Sequence, residues 1–278
     1  MNGYGDFAFF YDDFTENVEY EKRSEYIFSL LTENGIGKGI LLDLACGTGS
    51  LSFLLEEKGF DVIGVDASEE MLSVAQEKKM NSSSDIVFLC QKMEELDLFG
   101  TIDACVCTLD SINHLKGEKE VKETLRKASL FMNDGGIFIF DVNTPYKHKE
   151  ILGNNTFIYD TDEAYCVWQN TYNEKDRSVN ICLDIFDYDK EEDIYIRAGE
   201  EFTEKCYDLS DLKKWAEAVR FEVIGIYEEM TKDDIKEYKE SIETEQDENY
   251  IKTNLQEIRK LQDKLYNLVD EYLKGLEK

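Results

Sequence analysis

Two acidic residues and two glycines near the start of the chain have the types and spacing of a nucleoside-binding turn. Asp43 lies in the apolar run GILLDLA (39–45), Gly47 and Gly49 follow in CGTG, and Asp66 closes a second apolar run, DVIGVD (61–66). Glycine lets backbone come close to a ligand and reach positive φ. A carboxylate at the end of a second parallel strand can accept from both ribose hydroxyls of an adenosine. A dinucleotide and S-adenosylmethionine both fit that pattern, and Asp43 separates them. In a dinucleotide site the loop after the first strand faces a diphosphate, which a carboxylate repels. S-adenosylmethionine has no phosphate and brings an ammonium and a sulfonium, which an acid attracts. The third glycine of GxGxxG is also missing, because the run from Gly47 reads GTGSLS and ends on Ser52. The residues therefore point to the sulfonium methyl donor.

A second group falls where an open parallel sheet binds ligands, at the carboxyl ends of its strands. Asp110, Asn113 and His114 follow the fourth apolar run, and Asp141 and Asn143 end the fifth. Methyl transfer is an in-line displacement, so placing two reactants supplies much of the acceleration. A base is needed only for a nucleophile that arrives protonated. Asp110 is placed to accept from an amine, and His114, one of two histidines, has an ordinary pKa near neutrality. The competing reading is that Asp110 and Asn113 cap the following turn and that His114 is structural. Asp110, Asp141 and Asn143 also form an oxygen set of the kind that holds Mg²⁺, but no matching metal motif accompanies them and no metal is expected. Tyr165, Trp168, Tyr172 and Tyr195 are candidates for an aromatic cage around a cation, with sheet packing as the alternative. Cys105 and Cys107 share a strand face with no nearby basic activator, so a nucleophilic role is not expected.

The elements that must position these residues alternate short apolar runs with amphipathic segments. That is the pattern of a parallel sheet with crossover helices. Strands are predicted at 39–45, 61–66, 85–90, 102–109 and 136–143. Helices are predicted at about 17–32, at 50–58, after an N-cap at Ser68, and at 118–133. Residues 155–205 alternate polar and apolar between EKD and KEED turns, which predicts an antiparallel meander inserted after strand five. A helix over 208–219 and a strand in FEVIGIYEE (221–229) follow.

Composition narrows the function. The 278 residues carry a formal charge of −30, spread along the chain, with no basic stripe to offset it. Such a surface repels phosphate backbones and anionic lipids, so neither nucleic acid nor a membrane is an expected partner. No apolar run reaches the length of a membrane span, the N-terminus lacks the charge pattern of a signal peptide, and the seven cysteines form no CxxC pair. A cytoplasmic protein with buried thiols is expected.

On FAFFYDDF, LLDLACGTG, GVDASEEML, TLDSINHL and GGIFIFDVNTPYK, the chain resembles class I (Rossmann-like) methyltransferases, and among them the YqeM-like bacterial group, over about residues 4–230. The resemblance implies a seven-stranded sheet with helices on both faces and S-adenosylmethionine at the ends of strands one and two. S-adenosylhomocysteine would be the product, and a small-molecule acceptor, methylated on N or O, would lie under the inserted sheet. It implies that Asp43, Ala45 and Gly47 contact the methionine portion, and that Asp66 holds the ribose. Ala67 and Met71 would flank the adenine, Met93 would offer it backbone, and Leu109 would lie beneath the sulfonium. Tyr11, in a lid-like N-terminal segment, would reach the donor's carboxylate. Lys92 stands where such sequences carry an acid, Phe202 near where they carry a histidine, and no closing ERI-type strand is found. A donor-binding regulatory or scaffolding protein is the alternative to an enzyme.

The expected organisation is a donor-binding core of residues 1–145 and 207–230, an insertion of 146–206 and a helical extension of 231–278. In the extension Ile251, Ile258, Leu265 and Tyr272 recur every seven residues, as do Leu255, Gln262, Val269 and Leu276. An isolated helix with such a stripe must bury it, against the core or against a second copy. Persistence of the heptad favours a symmetric homodimer. Truncation after Met230 should then halve the mass seen by light scattering, whereas equal monomer masses for both forms would rule the dimer out.

Overall fold

The computed structural model describes residues 8, 11–15, 18–160, 164–189 and 194–233. The heptad stripe, the helical extension beyond Asp233, the homodimer reading and the KEED turn lie outside them. The described residues belong almost entirely to one compact unit, Met1–Lys232.

Five parallel strands form the central sheet: β1 (Gly39–Leu44), β2 (Phe60–Asp66), β3 (Val87–Cys90), β4 (Ile102–Cys107) and β5 (Met132–Phe140). Their order is β3-β2-β1-β4-β5. The two-residue period of the strands divides the core between the faces. Leu41, Val62, Ala104 and Val106 pack against α2 (Tyr20–Glu33) and α3 (Ser50–Glu57) through Ile27, Leu31, Leu51 and Leu55. Leu42, Leu44, Cys105 and Cys107 pack on the other face against Val121 and Leu125 of α5 (Glu118–Phe131) and Leu212 and Trp215 of α6 (Leu209–Ala218). This is the Rossmann-like arrangement expected. Helix α4 (Glu69–Met80) begins as its sequence specifies: the Ser68 hydroxyl accepts from the Met71 N–H at 3.1 Å, with Glu69 and Glu70 in the first turn. Such a cap contributes about 1 kcal/mol.

After β5 the chain forms a four-stranded antiparallel sheet in the order β6 (Thr156–Asp160), β7 (Ala164–Asn173), β8 (Ser178–Asp189), β9 (Ile194–Lys205). Its inner face buries Cys166, Val179, Ile181, Leu183 and Ile185 with Ala8 and Met71. The inserted meander therefore packs on the start of α4 through Met71 and on Ala8 near the N-terminus.

Two expectations are corrected. Helix α5 ends at Phe131 rather than 133, and β5 starts at Met132, because Met132 pairs with Ile102 before the register shift leading to Ala104↔Ile137. The segment 221–229 is no strand, and the central sheet has five strands among the described residues rather than seven. Phe221 and Val223 pack on the core, with Phe221 against Phe138 at 5.8 Å, but only Tyr227 makes an isolated bridge. The segment is instead tied to α2, by Arg23 to Glu229 and by the Tyr26 hydroxyl donating to the Thr231 carbonyl.

Candidate active site

The turn after β1 is built around Asp66. One of its oxygens accepts from the Gly47 N–H and the other from the Ser68 N–H, each at 2.8 Å. The carboxylate at the tip of β2 thus fixes the glycine loop and the start of α4 together. Each oxygen has a second acceptor direction, so the group can take ribose hydroxyls without releasing the loop. The Ala67 backbone also hydrogen-bonds this carboxylate. Gly47 has φ 55° and a Cβ there would meet nothing within 4 Å, which leaves open space for a ligand. Gly49, at φ 79°, packs so closely that a Cβ would come within 3.0 Å of Phe88. Ala45 also takes a left-handed conformation, φ 64°.

Asp43 is buried behind this loop and accepts from the Ser52 hydroxyl at 2.5 Å. Burial raises its pKa to about 7; the Ser52 hydrogen bond opposes that shift and Asp66 adds to it. Asp66 is likewise raised, chiefly by burial, with its backbone hydrogen bonds pulling the other way. The short helix α1 (Tyr11–Phe14) docks beside the loop. Asp12 accepts from the Thr48 and Ser50 hydroxyls at 2.7 and 2.9 Å and pairs with Lys78 at 2.5 Å. Tyr11 hydrogen-bonds Tyr20, whose hydroxyl feels both Asp12 and Asp43. Sequence reasoning missed Asp12, although it sits beside Tyr11 in the motif.

Met71 is buried under the inserted sheet, and Met93 opens a short 3-10 turn with its sulfur 3.7 Å from Cys107. Lys92 is exposed and pairs with Glu95 at 3.5 Å. Cys105 and Cys107 are fully buried, and burial pushes both thiols well above their usual pKa, which removes them as nucleophiles.

Asp141, at the end of β5, organises the second group. Its carboxylate accepts from the Leu109 and Asp110 N–H groups at 3.0 and 2.6 Å and from Arg23 at 3.1 Å. Leu109 and Asp110 are held at φ 56° and 51°, a conformation that costs non-glycine residues about 1–3 kcal/mol and needs such bonds. Asp110 has no capping hydrogen bond to the turn it starts. It accepts instead from the Asn143 amide at 2.7 Å, and the same amide reaches Glu204 at 3.1 Å. Asn113 is fully buried and serves backbone: it accepts from the Asn143 N–H and donates to the carbonyls of Asn143 and Lys205. His114 packs its ring on Phe202 at 5.1 Å, and burial lowers its pKa.

Asp141 is committed to backbone and arginine, and the Asn143 amide to two carboxyls, so the oxygen set weighed for Mg²⁺ is engaged by protein donors and acceptors. Atoms of Asp110, His114 and Glu204 come within 4.8 Å of one another instead. The aromatic cage does not form, because of the strand period. Trp168 and Tyr172 face the buried side, where Trp168 stacks on Tyr159, while Tyr195 is exposed against Tyr188.

A family model for a methyltransferase domain matches residues 41–136. The methyltransferase YqeM of Bacillus subtilis (strain 168) is 34% identical over 229 residues, 82% of this chain and 90% of the relative. The crystal structure of an S-adenosylmethionine-dependent methyltransferase from Clostridium acetobutylicum ATCC 824 superposes with a TM-score of 0.77 at 32% identity, covering 84% of this chain and 94% of that one. A glycine/sarcosine N-methyltransferase of Halorhodospira halochloris is 33% identical over 160 residues, 56% of this chain and 58% of the relative. Sheet, glycine loop and acidic strand tips together define a class I methyltransferase that uses S-adenosylmethionine. The chain belongs to the family of the YqeM methyltransferases.

Two predictions follow from the buried acids. The native state keeps a proton on Asp43 up to about pH 7 that the unfolded chain loses near 3.8. Asp43 therefore withdraws stability from the unliganded protein as pH rises through that window. An ammonium seated beside Asp43, as the resemblance implies, would favour the ionised form, and S-adenosylhomocysteine affinity should then rise with pH through about 7. Calorimetry at several pH values should show both trends, and Asp43→Asn should flatten them. Separately, Asp141→Ala strands two backbone N–H groups and weakens the pairing of Arg23, and should cost about 2–4 kcal/mol in urea unfolding.

Proposed function

We propose that the protein methylates a nitrogen atom of a small amine-bearing acceptor, seated between the Leu109–Asp110 turn and the end of β9. The observation that carries this reading is a pair of carboxyl groups, the half-buried Asp110 and the buried Glu204, whose oxygens lie within 4.8 Å of each other and of a His114 ring nitrogen. Carboxyl oxygens accept hydrogen bonds, and an amine or ammonium acceptor brings N–H donors to match them. The glycine/sarcosine N-methyltransferase relative, by its name, acts on amines. In this reading Asp43, Ala45, Gly47 and Tyr11 hold the methionine end of the donor and Asp66 its ribose. Ala67, Met71 and Met93 surround its adenine, and Leu109 supports the sulfonium. Asp110 meets the acceptor, Asn113 positions the two loops, and His114 stays neutral as a wall. The seven cysteines, all free, suit a reducing cytoplasm, and among the described residues no helix is long and apolar enough to cross a membrane. One observation favours a donor-binding regulatory protein instead: Lys92, where an adenine acceptor is expected, is exposed and paired with Glu95.

Calorimetry with S-adenosylhomocysteine tests the donor site. Asp66→Ala removes two charge-assisted hydrogen bonds and should cost about 1.5–3 kcal/mol for each. Unchanged affinity in the folded variant would mean the site is misplaced. An extract screen with labelled S-adenosylmethionine, read by mass spectrometry, then separates the enzyme from the regulator: a labelled amine is expected, and donor binding with no labelled product would favour the regulator.

A further inference from the structure

Behind the acceptor end lies a buried group that the donor site does not use. Glu204, on the last turn-facing part of β9, is 3% exposed and accepts from His148 Nε2 at 2.8 Å and from the Asn143 amide at 3.1 Å. His148 is fully buried, with its Nδ1 3.1 Å from Cys206 Sγ. The chain has only two histidines, and both stand against this one carboxylate. We propose that Glu204 is the base that takes a proton from an ammonium acceptor, that His148 is the positioning residue keeping Glu204 ionised, and that Asp110 serves as a neutral hydrogen-bond donor. The proposal rests on the amine reading above and assigns its residues.

Two carboxyl groups this close disfavour a second negative charge, and the His148 imidazole, bonded to Glu204, settles which keeps its proton. Burial works against a charge on His148, but its bonds to Cys206 and Glu204 prevail and lift it to about 9. Glu204 is correspondingly lowered: burial opposes this, and the His148 bond outweighs it. Asp110 is raised well above the carboxylate range by burial and by the Glu204 charge. The titratable groups facing this pair are His114, Asp141, Lys147, His148 and, through His148, Cys206. Lys147 lowers Asp110 but does not reverse its shift.

The reaction balances with these groups alone. An acceptor R–NH₃⁺ passes one proton to the Glu204 carboxylate and keeps the freed electron pair. That pair forms the N–C bond as the C–S⁺ bond breaks, and the C–S electrons remain on sulfur as the thioether of S-adenosylhomocysteine. The product leaves as a methylated ammonium, and Glu204 returns its proton to water.

The test uses the full chain with tritiated-methyl S-adenosylmethionine, a panel of amines (methylammonium, glycine, sarcosine, glucosamine) and the hydroxyl acceptors phenol and catechol. Label is expected in an amine. Glu204→Gln should lower kcat about a hundredfold or more while binding S-adenosylhomocysteine as wild type does. Asp110→Asn retains a donor and should lose less than about tenfold. His148→Gln should move the acid limb of kcat/KM to higher pH, since Glu204 loses the partner that favours its ionised form; a purely structural role would leave that limb in place. A readout on the unmutated chain covers a variant that fails to fold: imidazole nitrogen NMR should show one histidine still protonated at pH 7 and above and the other neutral. Label only in hydroxyl acceptors or in no panel member, a near-normal Glu204→Gln, a neutral pair of imidazoles at pH 7, or stoichiometric Mn²⁺ binding lost in Glu204→Gln would each overturn the proposal. Failure to bind S-adenosylhomocysteine at all would instead sink the underlying donor-site reading.

Discussion

The carboxylate of Asp141 makes one arrangement that most of the acceptor end depends on. It closes the end of β5 onto the backbone of the turn after β4, and Arg23 of α2 holds it from behind. Without those bonds Leu109 and Asp110 have little reason to stay left-handed, since each pays steric strain for it. With them, Leu109 is presented toward the donor's expected sulfonium and Asp110 is turned toward Asn143 and Glu204. The Asn113 and Asn143 backbone exchange then fixes the next step of both loops. Two parallel strand tips are converted into one rigid shelf, which an in-line displacement requires.

The same region gathers acidic groups with restricted access to water. Asp43, Asp66, Asp110 and Asp141 are all raised in pKa, with burial the leading cause in each. Desolvating an acid is costly unless something compensates it. Backbone N–H groups compensate Asp66 and Asp141, and a hydroxyl compensates Asp43 only in part. In the proposed site the remainder of the compensation would come from the ligand, because S-adenosylmethionine carries an ammonium and a sulfonium. The unliganded site is thus electrostatically unfavourable, and that stored cost favours cations over neutral analogues. Global acidity strengthens the bias by keeping anionic competitors away.

Much of the geometry at the tips of β1 and β2 was legible from the chain. Asp43, Gly47, Gly49 and Asp66 are local: a strand, a turn and a strand tip within 24 positions define their geometry, so type and spacing suffice. Ser68 as a cap and the period-two division of β1 and β4 were readable for the same reason. The acceptor half was legible only in part. Asp110 and His114 stand on a strand tip and stand out; Asp141 was noticed, but as a possible metal ligand, because nothing local says that its oxygens will be consumed by residues 109 and 110 or by Arg23. His148 and Glu204 went unseen, since their pairing joins a short π-helical segment, Lys147–Leu152, to a strand 56 positions away. The scarcity of histidine was the one available signal. The failed strand at 221–229 has a similar cause: its alternation was real, and Phe221 and Val223 do face the core, but contacts to α2 replaced the ladder.

The inserted sheet turns this long separation into a definite geometry through register. Glu204 pairs with Val179, Phe202 with Ile181 and Glu200 with Leu183, so these residues share the inner face with Val179, Ile181 and Leu183. A slip of one residue would exchange the faces, turning Glu204 outward and Thr203 or Lys205 inward. Burial of the aliphatic residues of β8 forbids the slip, because it would expose the β8 core or bury charged neighbours. The bond from Asn113 to the Lys205 carbonyl and that from the Cys206 N–H to the Arg177 carbonyl pin the far end. Hydrophobic packing along β8 therefore sets which carboxylate of β9 faces His148, Asn143 and Asp110. It follows that volume changes at Val179 or Ile181, neither of which is charged, act on the placement of Glu204 by way of the sheet and not through direct contact with either substrate.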